Sequence, residues 1–262
     1  MNLSLIDKTA MVCGSTRGIG RATAEALANA GARVVLVARD ETALQTVCDG
    51  LSRQHGQEHH RISVDFKETE QLQKKVADVR TEVGTVHILV NNTGGPPGGL
   101  ALEADVNEYE TAFRQHLIAN HLLVQAVTPG MKQAGYGRII NIISTSVKQP
   151  IPGLGVSNTV RGAVANWAKT LAGELAPFGI TVNNVLPGAT ETARLQTIIQ
   201  AKAQKAGLSI PEIERNMLSR IPLGRFAEAS EIAAAVVFLA SPAASYITGI
   251  NLPVDGGRTA CL

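Results

Sequence analysis

The sequence predicts a doubly wound α/β domain built on a parallel sheet. Three observations predict it. Short continuous apolar runs recur along the chain, longer helical stretches separate them, and glycine or proline punctuates the joins. Apolar runs of four to six residues suit strands covered on both faces, which is the situation of a parallel sheet between helix layers. A strand, crossover helix and parallel strand repeated in one chain wind right-handedly into an open sheet.

The elements follow in order. Strands are expected at Thr9–Cys13, Arg33–Val37, Arg61–Val64, Val86–Val90, Arg138–Ile143 and Thr181–Leu186, with a late seventh at Ile250–Val254. Helices are expected at Ile19–Ala30, Glu41–His55, Glu68–Val83, Val106–Gln133 and Val156–Ala176. Gly31 and Gly179 follow the first and fifth helices, where a left-handed residue closes a helix well, and Pro177 stops the fifth. The stretch 193–222 breaks the rhythm with helical runs and no strand. In open α/β sheets ligands bind beyond the carboxyl ends of the strands, so an insertion there is placed to cover a substrate. The expected organisation is one domain over residues 1–262, with 193–222 as its insertion.

Composition excludes several classes. Net charge is +2 from 24 basic and 22 acidic residues, which offers no footprint for nucleic acid or an anionic membrane. An apolar fraction of 45% is that of a folded domain. No apolar run reaches the roughly 20 residues of a membrane span, and the N-terminus does not read as a signal peptide. Cys13, Cys48 and Cys261 are scattered, so neither a zinc site nor a disulfide framework is expected, and a cytoplasmic location follows. His59-His60 reads as a solvated loop, and no metal site is expected.

The chemistry begins after the first strand. Gly14-Ser15-Thr16-Arg17-Gly18-Ile19-Gly20 opens directly into a helix. Glycines let backbone approach a pyrophosphate, and the helix N-terminus offers free N–H groups and a favourable dipole. Strand before and helix after give the motif its context, that of a Rossmann-type dinucleotide site. Gly14, Ser15, Arg17, Gly18, Ile19 and Gly20 are therefore candidate cofactor contacts. After the second strand stands Arg39, where NAD-preferring sites usually carry an acid. Arg17 and Arg39 together suit a 2′-phosphate, so NADP(H) is expected in preference to NAD(H). Asp40, one place later, argues the other way. Asp65 after the third strand and Asn92 and Gly94 after the fourth complete the strand-end set. Gly94–Gly99, which contains Pro96-Pro97, is either a substrate wall or an irregular connection. Trp167 among small residues reads as a core or oligomer contact.

With GSTRGIG, NNTG, GRIINIIS, TVNNVLPG and SYITGINLPVDGG in place, the chain resembles the short-chain dehydrogenase/reductase family over almost its whole length. It looks most like the 3-oxoacyl-ACP reductase branch. The resemblance implies an oxidoreductase acting on a small-molecule carbonyl or alcohol, and a homo-oligomer, tetramer or dimer. It also implies that Gly14, Gly18, Gly20, Asp65 and Asn92 bind the dinucleotide, and that Pro187, Gly188 and Thr192 line its nicotinamide. The family uses a Ser, a Tyr, a Lys and a helical Asn. Ser144 matches the serine. Ser157, thirteen residues on, stands at the tyrosine position, Arg161 at the lysine position and His116 at the asparagine position. No tyrosine lies between Tyr136 and Tyr246, so no shift of alignment restores one.

Arg161 keeps a cation for the ribose but does not deprotonate in a protein. A serine hydroxyl is shorter and far less acidic than a phenol, and losing the general acid is worth about 10²–10⁴-fold. Ser144, Ser157, Arg161 and His116 are the candidate catalytic residues, with His116 either a substitute acid or a packed helical histidine. Three functions compete: an oxidoreductase with an altered proton relay, an inactive dinucleotide-binding scaffold or sensor, and a non-redox lyase using the same pocket.

Overall fold

The computed structural model describes residues 1–261. Seven parallel strands form one sheet in the order β3-β2-β1-β4-β5-β6-β7. They are β1 (Thr9–Cys13), β2 (Arg33–Ala38), β3 (His60–Ser63), β4 (Ile88–Asn91), β5 (Gly137–Ile142), β6 (Ile180–Pro187) and β7 (Asn251–Val254). The helices are α1 (Gly18–Asn29), α2 (Glu41–Gly50), α3 (Thr69–Val83), α4 (Val106–Phe113), α5 (Ala119–Ala134), α6 (Gly155–Leu175), α7 (Ala193–Ala206), α8 (Ile210–Leu218) and α9 (Ala229–Ala240). The expected seven-stranded doubly wound sheet is the observed one.

The continuous apolar runs are explained by two cores, one on each face. Val12, Val34, Leu36, Ile88 and Val90 meet α1 and α9 through Leu27, Ile232 and Val236. Met11, Val35, Val37, Leu89 and Ile139 meet α3, α5 and α6 through Leu72, Leu123 and Ala168. Alternate residues of one strand serve opposite layers, so the strands need no strict alternation of apolar and polar positions. The order reverses between β1 and β4, and that crevice receives the glycine loop and the residues after β4.

Three expectations need correction. The segment 106–133 is not one regular helix: Arg114–Ile118 forms a π turn between α4 and α5. Such turns insert one residue into the helix and re-aim its side chains, often at functional sites. The second helix ends at Gly50 rather than His55, because the Arg53 guanidinium caps the carbonyls of Cys48, Asp49 and Leu51. His59 is not solvated loop. Its Nδ1 accepts from the Val34 amide at 3.1 Å and its Nε2 donates to the Ser52 carbonyl at 2.9 Å, while His60 begins β3. Trp167 sits half-buried on α6 between two apolar clusters, edge-on to His121.

Four asparagines cross the interior in one line. Asn91, Asn141, Asn184 and Asn251 are cross-strand partners on β4 to β7. Asn91 Nδ2 donates to Asn141 Oδ1 at 2.9 Å, Asn141 Nδ2 to Asn184 Oδ1 at 2.9 Å, and Asn184 Nδ2 to Asn251 Oδ1 at 2.8 Å. Asn141 and Asn184 both donate and accept, while Asn91 donates, Asn251 accepts and the buried Asn91 Oδ1 has no partner among the described residues. Such pairing is how polar groups survive in a sheet covered on both faces.

Candidate active site

The glycine loop closes onto the residue after β4. Gly14 and Gly18 take left-handed φ values of +59° and +52°. A Cβ on Gly14 would lie 2.5 Å from the Asn92 carbonyl oxygen. The Asn92 carboxamide donates to the carbonyls of Cys13 (3.2 Å) and Gly14 (3.4 Å), tying β4's end to β1's. α1 then starts with Arg17 as an N-cap whose side chain makes no capping bond, and its first turn carries no acid. Its first N–H groups are left for an external anion. Thr192 stands across Gly18, with its methyl 3.1 Å from where a Cβ would be. The loop, uncapped turn and close backbone fit a dinucleotide pyrophosphate.

The side chains of this loop divide in their roles. Ser15 is fully buried, and both its hydroxyl and its N–H turn to the Val37 carbonyl. The Thr192 hydroxyl accepts from Leu195 N as the N-cap of α7 and donates to the Thr190 carbonyl. Pro187 ends β6 opposite Val254, and Gly188 is pressed against the Asp255 backbone. Gly94 is exposed with open space around it.

Arg39 and Asp40 have separate fates. Asp40 is the N-cap of α2 and accepts from the Ala43 amide at 3.0 Å. Its carboxylate is committed to the helix start. Arg39 is exposed and lies 3.7 Å from Asp65, across the ends of β2 and β3. An exposed pair at that distance holds Arg39 only loosely, leaving its fork available.

The second cluster surrounds the ends of β4 and β5. Ser144 follows β5 and accepts from the Ser146 amide at 3.1 Å, capping a short 3-10 turn. Ser157 and Arg161 are one helical turn apart on α6, on one face, and both are buried. Arg161 donates to the Ile142 carbonyl at 3.0 Å and to the Thr93 carbonyl at 3.4 Å. Burial, and then Arg194, lower its pKa to about 10, so it remains a cation at neutral pH. His116 lies in the π turn, almost wholly enclosed, with its Nδ1 bonded to the Thr93 hydroxyl. Its Nε2 is buried without a partner among the described residues. Desolvation, reinforced by Arg161 and Arg194, holds its pKa near 2. The ring is therefore neutral at working pH, which favours a packed, Thr93-holding histidine over an imidazolium acid.

Thr93 and Arg194 are the residues sequence reasoning missed. Thr93 ties His116 to Arg161 through its two oxygens. Arg194, in the first turn of α7, donates to the carbonyls of Gly95 (3.1 Å) and Pro96 (3.3 Å), ninety-eight and more residues away in sequence. The Gly94–Gly99 segment is thus held at both ends, since Gly99 also pairs with Gly153 and Gly155 at the start of α6. Nothing local marked Arg194; only its place two residues after Thr192 hinted at it. Among the described residues no group of His, Cys, Asp and Glu side chains is arranged to hold a metal ion, and no helix is long and apolar enough to cross a membrane.

The depressed His116 pKa makes acid stability predictable. A histidine buried neutral takes up its proton more readily once unfolded, with a value near 6.5. Its neutral-form contribution is complete above about pH 6.5 and is lost as pH falls from there towards 2. Replacing His116 by Asn is expected to flatten the fall of Tm between pH 6.5 and 4. An unchanged slope would show that other groups govern that limb.

Comparison with known proteins decides the family. The family model described as enoyl-(acyl carrier protein) reductase matches residues 14–259. A 3-oxoacyl-ACP reductase of Haemophilus influenzae is 36% identical over 250 residues, covering 95% of this chain and 97% of that protein. The chain belongs to the short-chain dehydrogenase/reductase family. The corresponding reductase of Aquifex aeolicus is 33% identical over 257 residues, covering 98% of this chain and 99% of its own. Among solved short-chain dehydrogenase/reductase structures, L-sorbose reductase of Gluconobacter frateurii, complexed with NADPH and L-sorbose, superposes with a TM-score of 0.93 at 31% identity over the whole of both chains. An NADPH-dependent reductase involved in bacilysin biosynthesis gives 0.92 at 28% identity, covering 97% of this chain and 99% of that one.

Proposed function

We propose that this chain is an NADP(H)-dependent oxidoreductase of small carbonyl or alcohol substrates with a non-standard proton relay. The observation that carries the reading is the glycine loop clamped by Asn92 beside an uncapped helix turn, with Arg39 held only loosely by Asp65 at the end of β2 while Asp40 is used as a cap. Solved relatives that bind NADPH support the choice of cofactor. When bound, the cofactor supplies or accepts a hydride, which with one proton interconverts carbonyl and alcohol. Gly14, Ser15, Gly18, Ile19 and Gly20 would present backbone to the pyrophosphate. Arg17 and Arg39 would take the 2′-phosphate as a bidentate pair. Asp65 and Asn92 would flank the adenosine and ribose ends, and Gly94, Pro187, Gly188 and Thr192 the nicotinamide.

Ser144 would hold the reacting oxygen. Ser157 and Arg161 stand in for the family's tyrosine and lysine: Arg161 keeps the positive charge, but neither side chain is a good acid near neutral pH. His116, kept neutral, positions Thr93. The proton then comes from water or from the substrate itself. Exposed Val106, Phe113 and Ile118 along α4 and the π turn support a homo-oligomer using that face.

Titration with NADPH and NADH, followed by nicotinamide fluorescence, tests the cofactor reading. NADPH is expected to bind at least tenfold more tightly, with the preference lost in Arg39→Ala. Equal binding would return the choice to NAD(H), and no binding of either would leave a scaffold. For the relay, Ser157→Tyr with Arg161→Lys is expected to add ketone reduction that the native chain performs slowly. If the native rates already match the double variant, the altered relay is wrong.

A further inference from the structure

Two arginines meet beside the proposed substrate space without an acidic partner. Arg161 and Arg194 form none of the ion pairs found among the described residues. Arg161 is the costlier, because a buried guanidinium normally requires a counter-charge. Only two of its five N–H groups have an acceptor, the Ile142 and Thr93 carbonyls. Arg194 reaches Gly95 from the first turn of α7. A Cβ on Gly95 would lie 2.7 Å from one Arg194 nitrogen and 3.7 Å from an Arg161 nitrogen. Glycine at 95 is what allows the two forks to approach one place. Burial lowers the pKa of both Arg161 and His116, and the nearby positive charge of Arg194 lowers each further.

From this geometry we infer that Arg161 and Arg194 form an oxyanion cleft at Gly95, and that the substrate carries a carboxylate held there. The inference rests on the oxidoreductase reading and narrows its substrate class. Planar guanidinium forks match a carboxylate by parallel hydrogen bonds, and one anion between two cations offsets the desolvation that neither meets alone. The other source of the same chemistry is a phosphate of the cofactor. The carboxylate is favoured because Arg161 is anchored on the Ile142 and Thr93 carbonyls at the ends of β5 and β4, whereas the uncapped turn of α1 and Arg17 serve the phosphates. A carboxylate fixed here also lets binding energy orient a substrate whose oxygen no longer meets a phenol.

The test uses the NADPH complex of the full chain, formed first and checked by nicotinamide fluorescence. Acetate and benzoate are then titrated calorimetrically against acetamide and benzamide, which match them in shape without the charge. At least one carboxylate is expected to bind ten times more tightly than its amide, and Arg194→Met is expected to remove that preference. Arg194→Lys should keep part of it, which separates lost charge from lost fold. Equal binding of acids and amides, or binding of neither, overturns the inference while an intact NADPH signal leaves the oxidoreductase reading standing. If Arg194→Met instead weakens NADPH tenfold and spares the carboxylate preference, Arg194 serves the cofactor and the inference falls. Failure of NADPH binding in the native chain removes the oxidoreductase reading itself.

Discussion

Gly20→Ala is expected to weaken NADPH binding by at least about a hundredfold and to lower Tm, although alanine is the better helix former. Gly20 lies in the first turn of α1. In an open helix the change would stabilise by about 1 kcal/mol. Here the new Cβ falls well inside contact of the Gly14 carbonyl oxygen and 2.6 Å from Asn92 Nδ2. Neither neighbour can step aside freely. Gly14 is backbone in a left-handed turn, and Asn92 is the clamp that fastens that turn to β4. Any relief of the crowding opens the loop that would face the pyrophosphate. A hundredfold loss corresponds to about 2.7 kcal/mol, a modest demand for such an overlap. Fluorescence titration and thermal melting on the same preparation check it. Unchanged affinity would mean that the loop does not hold the cofactor.

Asn141→Ala is expected to cost about 2–5 kcal/mol of folding stability. Asn141 is wholly inaccessible and bonds its neighbours on both sides. Its loss leaves a donor on Asn91 and an acceptor on Asn184 without partners, both buried. Each orphan costs about 1–3 kcal/mol, far more than the roughly 1 kcal/mol net value of a hydrogen bond. Against a total stability of about 5–15 kcal/mol this is a large fraction. Urea denaturation should show the midpoint shifted with the slope unchanged. A shift worth less than about 1 kcal/mol would show that water fills the gap and satisfies both groups.

The strands and the glycine loop were legible because their causes are local. Apolar runs, a strand-to-helix glycine turn and helix-ending glycines each act within a few residues. The end of α2 was not, since Arg53 closes it by wrapping its side chain back onto three carbonyls. Nor was the π turn, because its residues Arg-Gln-His-Leu-Ile carry ordinary helical propensities and the departure follows from burying His116 against Thr93. Asp40 and Arg39 looked like rivals for one ribose. The helix cap that separates them is legible in hindsight, as an acid directly before a helical run. The Arg194 contact joins residues ninety-eight and more apart and left no trace in the pattern.

The asparagine line has a consequence for how the sheet finds its alignment. Parallel strands have no hairpin turn to set their offset, and runs of Val, Leu and Ile buried on both faces accept a slip by one residue with little change in chemistry. A row of carboxamides does not. Sliding β5 by one position would set Asn141 opposite Val90 or Asn92 on β4 and opposite Asn183 or Val185 on β6. Since neighbouring residues of a strand face opposite sides of the sheet, the row of paired amides would be broken either way. β4 to β7 therefore carry a built-in gauge that rejects misaligned states, whereas β2 and β3 have no comparable row. Errors of assembly, where this chain makes them, should concentrate at the β3 edge of the sheet and spare the half beneath Ser144 and Arg161.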